Sequence, residues 1–136
     1  MTRINLIDVR ELSDQHLIAE YRELPRCIKQ IINTLDAPTV YCLGKGHMKW
    51  AKKHPVFLLT RYKDICEEMI YRGFKVNYPH EDLVEHCKNS CKKDDFNDYV
   101  PTKEDIKISR ERIIEKINQN PTWYKWTNRL KPIYAK

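Results

Sequence analysis

The chain has 136 residues, room for one domain rather than two well-cored ones, and 41% of them are hydrophobic, enough for a real core. Lys and Arg number 25 against 19 Asp and Glu, and this net charge of +6 attracts polyanions without by itself marking a nucleic-acid binder. No stretch approaches the roughly 20 apolar residues that span a bilayer, and the segment Met1-Thr2-Arg3-Ile4-Asn5-Leu6 lacks the apolar centre of a signal peptide.

The five cysteines (Cys27, Cys42, Cys66, Cys87, Cys91) are odd in number and irregularly spaced, which fits a reduced, intracellular setting better than a disulfide framework. Only three glycines are present, and the apolar runs recur at helical spacing. Together these predict a mostly helical domain rather than a sandwich or barrel.

Ser13 or Asp14 can cap a first helix whose apolar stripe is Leu17, Tyr21, Leu24, Ile28, Ile31, Ile32 and Leu35. Pro25 lies inside that stripe and predicts a kink rather than a break. A second helix starts at Pro55, a residue tolerated in the first turn, and carries Phe57, Leu58, Tyr62, Ile65, Met69 and Ile70. Gly73 closes it as a left-handed C-cap. A third begins near Thr102, where Thr102 and Asp105 have capping-box spacing; it carries Ile106, Ile113 and Ile117 and ends before Pro121. The segments 36–54 and 75–101 read as irregular, with Tyr41-Cys42-Leu43 as a short extended piece on the core. The expectation is an all-α fold: a compact single domain spanning 1–136, with three main helices and irregular connecting segments.

On a helical wheel His16 and Glu23, two turns apart, fall within about 20° of each other, with Arg22 and Arg26 flanking Glu23. A carboxylate, an imidazole and two guanidiniums on one face can do chemistry on an anion. The same pattern also describes a solvated face with ordinary ion pairs. In the last helix Arg112 and Lys116 share a face, with Lys107 and Arg110 nearby, and Pro121-Thr122-Trp123-Tyr124-Lys125-Trp126 follows directly. Rings interleaved with a lysine suit base stacking and phosphate contact, or they fill the core. Leu43-Gly44-Lys45-Gly46-His47 lacks P-loop spacing, so it is a weak phosphate signal beside a plain tight turn. His80, His86, Cys87 and Cys91 match no standard zinc spacing.

Taken together these blocks resemble the pyrimidine-dimer DNA glycosylase/AP lyases. The resemblance starts at Met1-Thr2-Arg3-Ile4-Asn5-Leu6. It continues through Asp14-Gln15-His16-Leu17 and Ala19-Glu20-Tyr21-Arg22-Glu23-Leu24-Pro25-Arg26, then Leu43–His47, Arg72-Gly73-Phe74 and Asp98-Tyr99-Val100-Pro101. It ends with Ile108-Ser109, Arg112, Glu115-Lys116-Ile117, Pro121–Lys125 and Ile133-Tyr134-Ala135. The resemblance implies that Met1 is removed and that the α-amine of Thr2 attacks C1′ of the damaged nucleotide, forming an imine that β-elimination resolves by cutting the strand. It implies Glu23 as the second catalytic residue. Arg3, His16, Arg22, Arg26, Arg112, Lys116, Trp123, Tyr124 and Lys125 become substrate-binding residues. It further implies a monomer with no obligate protein partner, no membrane and no metal or organic cofactor. Such an enzyme acts on damaged double-stranded DNA in the cytoplasm of a bacterium or of a cell infected by a virus or phage. Two stretches depart from the family pattern: the connection from the first helix to the glycine loop is shorter and less basic, and residues 126–132 differ.

Overall fold

The computed structural model describes residues 4–29, 41, 50, 54–90 and 98–133. A single 3-10 turn, Val9–Glu11, precedes four α-helices among them: α1 (Asp14–Lys29), α2 (Pro55–Tyr71), α3 (His80–Ser90) and α4 (Lys103–Gln119). No strand occurs among the described residues.

The predicted helix ends follow from local chemistry. Ser13 caps α1: its hydroxyl accepts the His16 N–H at 3.1 Å and its carbonyl accepts the Leu17 N–H at 2.9 Å. The helix continues through Pro25 to Lys29; Ile31, Ile32 and Leu35 lie outside the described residues. Pro55 occupies the first turn of α2. At its other end the Gly73 N–H reaches the Ile70 carbonyl and the Phe74 N–H the Met69 carbonyl, while Gly73 takes φ +87°. That hydrogen-bond pair is a Schellman motif, and the left-handed angle is why glycine stands there. Thr102 and Asp105 form a full reciprocal capping box on α4, which stops at Gln119, two residues before Pro121.

One expectation fails. Residues 75–101 are not irregular throughout, because α3 lies within them, so the described chain has four helices rather than three. Among the described side chains of α3, Leu83 and Cys87 are fully buried. Two buried side chains one turn apart give too thin a stripe for periodicity to register, and α3 is held by packing on α1 and α2.

The core gathers Leu17, Leu24 and Ile28 of α1, Leu58, Tyr62 and Ile65 of α2, Leu83 of α3 and Ile113 and Ile117 of α4. Trp50 anchors one side of it, edge-on to Tyr41, Phe57 and Tyr99 at centroid distances of 4.9, 5.9 and 5.1 Å. Tyr41 is buried, its hydroxyl donating to the Ile4 carbonyl at 3.0 Å and its N–H to the Tyr99 hydroxyl at 3.0 Å; Cys42 and Leu43 lie outside the described residues.

Candidate active site

The N-terminal segment is threaded through the core rather than laid on it. Ile4, Asn5, Leu6 and Ile7 are all buried. Buried backbone groups need partners, and here side chains of the helices supply them. Arg72, fully buried at the end of α2, reaches the carbonyls of Val9 and Arg10 at 3.3 Å each and the Asp14 carboxylate at 2.9 Å. Arg61, three turns back on α2, donates to the Ile7 carbonyl at 2.5 Å and pairs with Glu20 at 2.6 and 3.2 Å. The Leu6 N–H donates to Ser109 Oγ of α4 at 2.9 Å. Asn5 gives both its backbone N–H and its Nδ2 to Glu20 Oε1, at 3.2 and 2.8 Å.

Glu20 is thus a completely buried carboxylate whose two oxygens accept from Asn5 and Arg61. A buried charge survives only with such pairing. Neither Glu20 nor Arg61 was singled out as a site residue from the sequence. The available signal was positional: on the wheel Glu20 falls between Leu24 and Cys27, at the edge of the apolar stripe, where a lone acid needs a partner.

Glu23, one turn beyond Glu20, is half-buried, its Oε1 4.0 Å from Cys27 Sγ. Arg22 and Arg26 are exposed on α1. His16 is half-buried; its ring stacks on Tyr124 with centroids 4.8 Å apart and planes 8° from parallel. Nδ1 of His16 lies 2.8 Å from the Ser13 hydroxyl, which can donate to it when the ring is neutral. Burial, then the positive charges of Arg112 and Lys116, pull this imidazole down to about 4. Arg112 and Lys116 of α4 therefore share one neighbourhood with His16.

The aromatic segment after α4 is clipped to the start of α1. Gln15 Nε2 donates to the Trp123 carbonyl at 2.6 Å, and its Oε1 accepts the Lys125 N–H at 3.1 Å, one bond on each side of Tyr124. The Asp14 N–H donates to the Lys125 carbonyl at 2.7 Å, and the Asp14 carboxylate takes Thr127 Oγ1 at 2.6 Å. Trp126 is buried and donates its indole N–H to the Glu11 carbonyl at 2.9 Å. Trp123, edge-on to Tyr124, is 55% exposed; Lys125 is exposed as well. The aromatic run is therefore divided, with Trp126 in the core and Trp123 and Lys125 open to solvent.

Of the residues singled out in the sequence, the structure brings together His16, Tyr124, Arg112 and Lys116. Glu23, Arg22 and Arg26 stand further along α1, and Lys107 is exposed on α4 while Arg110 pairs with Glu11 at 3.1 Å. Thr2 and Arg3 lie outside the described residues, as do the 43–47 loop and Cys91. His80 and His86 are half-buried and Cys87 is buried. No group of three His, Cys, Asp or Glu placed to hold a metal occurs among the described residues. Nor is any helix among them long and apolar enough to cross a membrane.

A helical protein that sets cations, a neutral imidazole and an exposed aromatic ring at one end of its first helix, with a half-buried carboxylate further along it, carries the elements of a nucleic-acid enzyme. The sequence model of the family described as pyrimidine dimer DNA glycosylase matches residues 1–82, and the chain belongs to that family. Its activity is therefore that of a DNA glycosylase, a DNA repair function.

Proposed function

We propose that the protein is a bifunctional glycosylase and AP lyase for pyrimidine dimers in duplex DNA, with the α-amine of Thr2 as nucleophile and Glu23 as its catalytic carboxylate. The observation that carries this reading is the path of the N-terminal segment. As residue number falls from Arg10 to Asn5, the anchoring residues climb from Arg72 beside Asp14 to Arg61 beside Glu20. The segment thus runs up α1 towards its C-terminal half. Glu23 is the next acid on that side, about 4.5 Å further along the axis. Thr2 precedes Ile4 by two residues, a span of at most about 7 Å.

An α-amine has a reference pKa near 7.7–8.0, so a useful fraction is neutral at pH 7, provided that Met1 has been removed. Its lone pair attacks C1′, and the C1′–base bond breaks with its electron pair leaving on the base. The nitrogen then loses a proton, and opening of the sugar at the C1′–O4′ bond leaves a protonated imine. Loss of a C2′ proton expels the 3′ phosphate, and water hydrolyses the imine to regenerate the amine. Glu23 stabilises the cationic sugar and moves protons in these steps.

Arg3, Arg22, Arg26, Arg112 and Lys116 hold phosphates of the kinked strand. His16, Trp123, Tyr124 and Lys125 shape the surface beside the lesion, and chemistry falls on the sugar while the opposite base is flipped out. A damaged step stacks poorly and bends more easily, which supplies part of the selectivity.

The test is borohydride reduction with dimer-bearing or abasic duplex, on protein whose mass shows Met1 absent. A covalent complex at one-to-one mass is expected. Salt-sensitive binding without any trapped complex would instead make the chain a non-catalytic DNA-binding module. Trapping on abasic but never on dimer DNA would make it an AP lyase for other lesions.

A further inference from the structure

The Ser13 hydroxyl does more than cap α1. Ser13 is completely buried, and its Oγ accepts the His16 backbone N–H at 3.1 Å. A hydroxyl also carries one hydrogen, and a buried hydrogen needs an acceptor. The acceptor within reach among the described residues is Nδ1 of the His16 ring, at 2.8 Å. Nδ1 can take that hydrogen only while it holds none of its own. A protonated Nδ1 would instead donate to Oγ, which would then accept twice and leave its own hydrogen without a partner in a site closed to water.

Proton accounting therefore puts the ring hydrogen of neutral His16 on Nε2. That nitrogen meets no partner among the described residues, and unlike Asn5 Oδ1 it is not shut off from solvent. The ring that carries it lies flat against Tyr124, centroids 4.8 Å apart and planes 8° from parallel, so packing fixes its direction. Arg112 and Lys116 of α4 act on the same ring as nearby positive charges, and both attract anions.

We propose that Ser13 is a positioning residue that fixes His16 as the Nε2–H tautomer, and that this N–H donates to a phosphate oxygen of the bound strand. This rests on the DNA reading above and adds to it a residue and a protonation state. The two cations already supply the attraction; a neutral N–H on a clamped ring adds a direction. In the other tautomer Nε2 would turn a lone pair towards the phosphate oxygen and repel it. An imidazolium would tie affinity to its own titration, whereas the neutral ring keeps the contact constant across neutral pH.

The test reads the ring directly, by long-range 1H–15N correlation on protein carrying 15N-histidine at pH 7. An unprotonated Nδ1 and a protonated Nε2 are expected for His16 in the wild type. The reverse assignment, or averaged signals from the two nitrogens, overturns the proposal. Ser13→Ala keeps every charge and removes the donor, so the Nδ1–H tautomer is expected to appear and duplex affinity to fall by about threefold to tenfold. Ser13→Thr restores the hydroxyl and is expected to restore both. A role confined to capping predicts a lower Tm for Ser13→Ala with the wild-type tautomer, and that result overturns the proposal.

Saturating dimer-bearing duplex is expected to slow exchange of the Nε2 hydrogen with water by at least about tenfold. An unchanged exchange rate in a complex that does form means that the strand does not take this donor, and overturns the proposal too. If Ser13→Ala does not fold, the wild-type spectra with and without duplex decide alone. A protein that binds neither damaged nor undamaged duplex defeats the DNA reading and the phosphate contact with it, and the spectrum of the free protein still judges the Ser13 contact separately.

Discussion

Residues 4–10 and residues 123–129 both lie along α1, but they are held in different ways. The first segment is fixed by charges shut away from water: Arg61, Glu20 and Arg72 are buried, and each bonds the backbone or amide of the segment directly. The second combines surface clips with buried anchors, Trp126 itself being buried. Gln15 brackets Tyr124 from the surface, Asp14 takes Thr127, and the half-exposed Arg129 reaches back to Glu68 at 2.8 and 2.9 Å while lying over the Tyr71 ring. A reacting amine must be placed to a fraction of an ångström, whereas rings and lysines that meet a deformable duplex need less. The departures from the family pattern at 126–132 fall in the second segment.

Breaking the buried side should therefore cost most. Arg61→Met leaves the Glu20 carboxylate and the Ile7 carbonyl without their main partner, and loss of one member of a buried pair costs about 3–5 kcal/mol. A fall in Tm of roughly 10–20 °C is expected in a calorimetric melt. Glu20→Gln with Arg61→Met should recover part of that loss in a double-mutant cycle. A single Arg61→Met variant melting like wild type would mean that the N-terminal segment is not pinned as described.

Within the fold, Glu23→Gln changes chemistry rather than stability. Its carboxylate is only half-buried and the amide keeps the shape. Strand cleavage should drop by at least about 10²-fold, with binding to dimer-bearing duplex retained. Normal cleavage by Glu23→Gln would remove the carboxylate from the mechanism.

Acid probes the seam between the two regions, where His16 of α1 meets Tyr124. The folded-state pKa of His16 is about 4, below its ordinary 6.5, because burial and then Arg112 and Lys116 disfavour the imidazolium. Between those values the unfolded chain binds the proton that the folded chain refuses, so stability rises with pH through this window. The contribution is complete above pH 6.5 and is lost as pH falls towards 4; after allowance for partial exposure it is on the order of 2 kcal/mol. Denaturant titrations at several pH values should show this slope in wild type and a shallower one in His16→Gln. It follows that His16 is neutral at pH 7, so under the proposed mechanism an acid limb of activity near pH 7–8 is expected to come from the amine.

How much of this was legible in the sequence follows the range of the interactions. Signals confined to one turn could be read directly: Ser13, Pro55, Gly73 and the Thr102–Asp105 box each act through neighbours a few residues away. The wheel put His16 and Glu23 on one side of α1. The Glu20–Arg61 pair spans 41 residues and the bond from Gln15 to Trp123 spans 108, and neither leaves a periodic trace. Helix α3 was missed because docking of Leu83 and Cys87 makes it, although Pro79 followed by Glu81 and Asp82 has the composition of a helix start. The amine of Thr2 is a backbone group, so no side-chain pattern could have nominated it; only the family resemblance did.

On the exposed side the effects should be smaller and should appear in binding. Trp123→Ala removes a ring that is 55% open to solvent, so the melt should hardly move. Where the ring stacks on a base, affinity should drop by about 1–3 kcal/mol. Gln15→Ala is the mildest change and the most discriminating. It removes two partly exposed hydrogen bonds, each with a net value of about 1 kcal/mol or less at such a site. It takes away no charge and no ring, so the basic surface is unaltered. Yet it frees the backbone on both sides of Tyr124, and with it the ring stacked on His16. The expected outcome is a small loss of stability, an unchanged salt slope of DNA binding, and a reduced preference for damaged over undamaged duplex in competition binding. If that preference survives Gln15→Ala, the clip on Tyr124 is mechanical support alone, and discrimination rests on the cations and on the bend of the DNA.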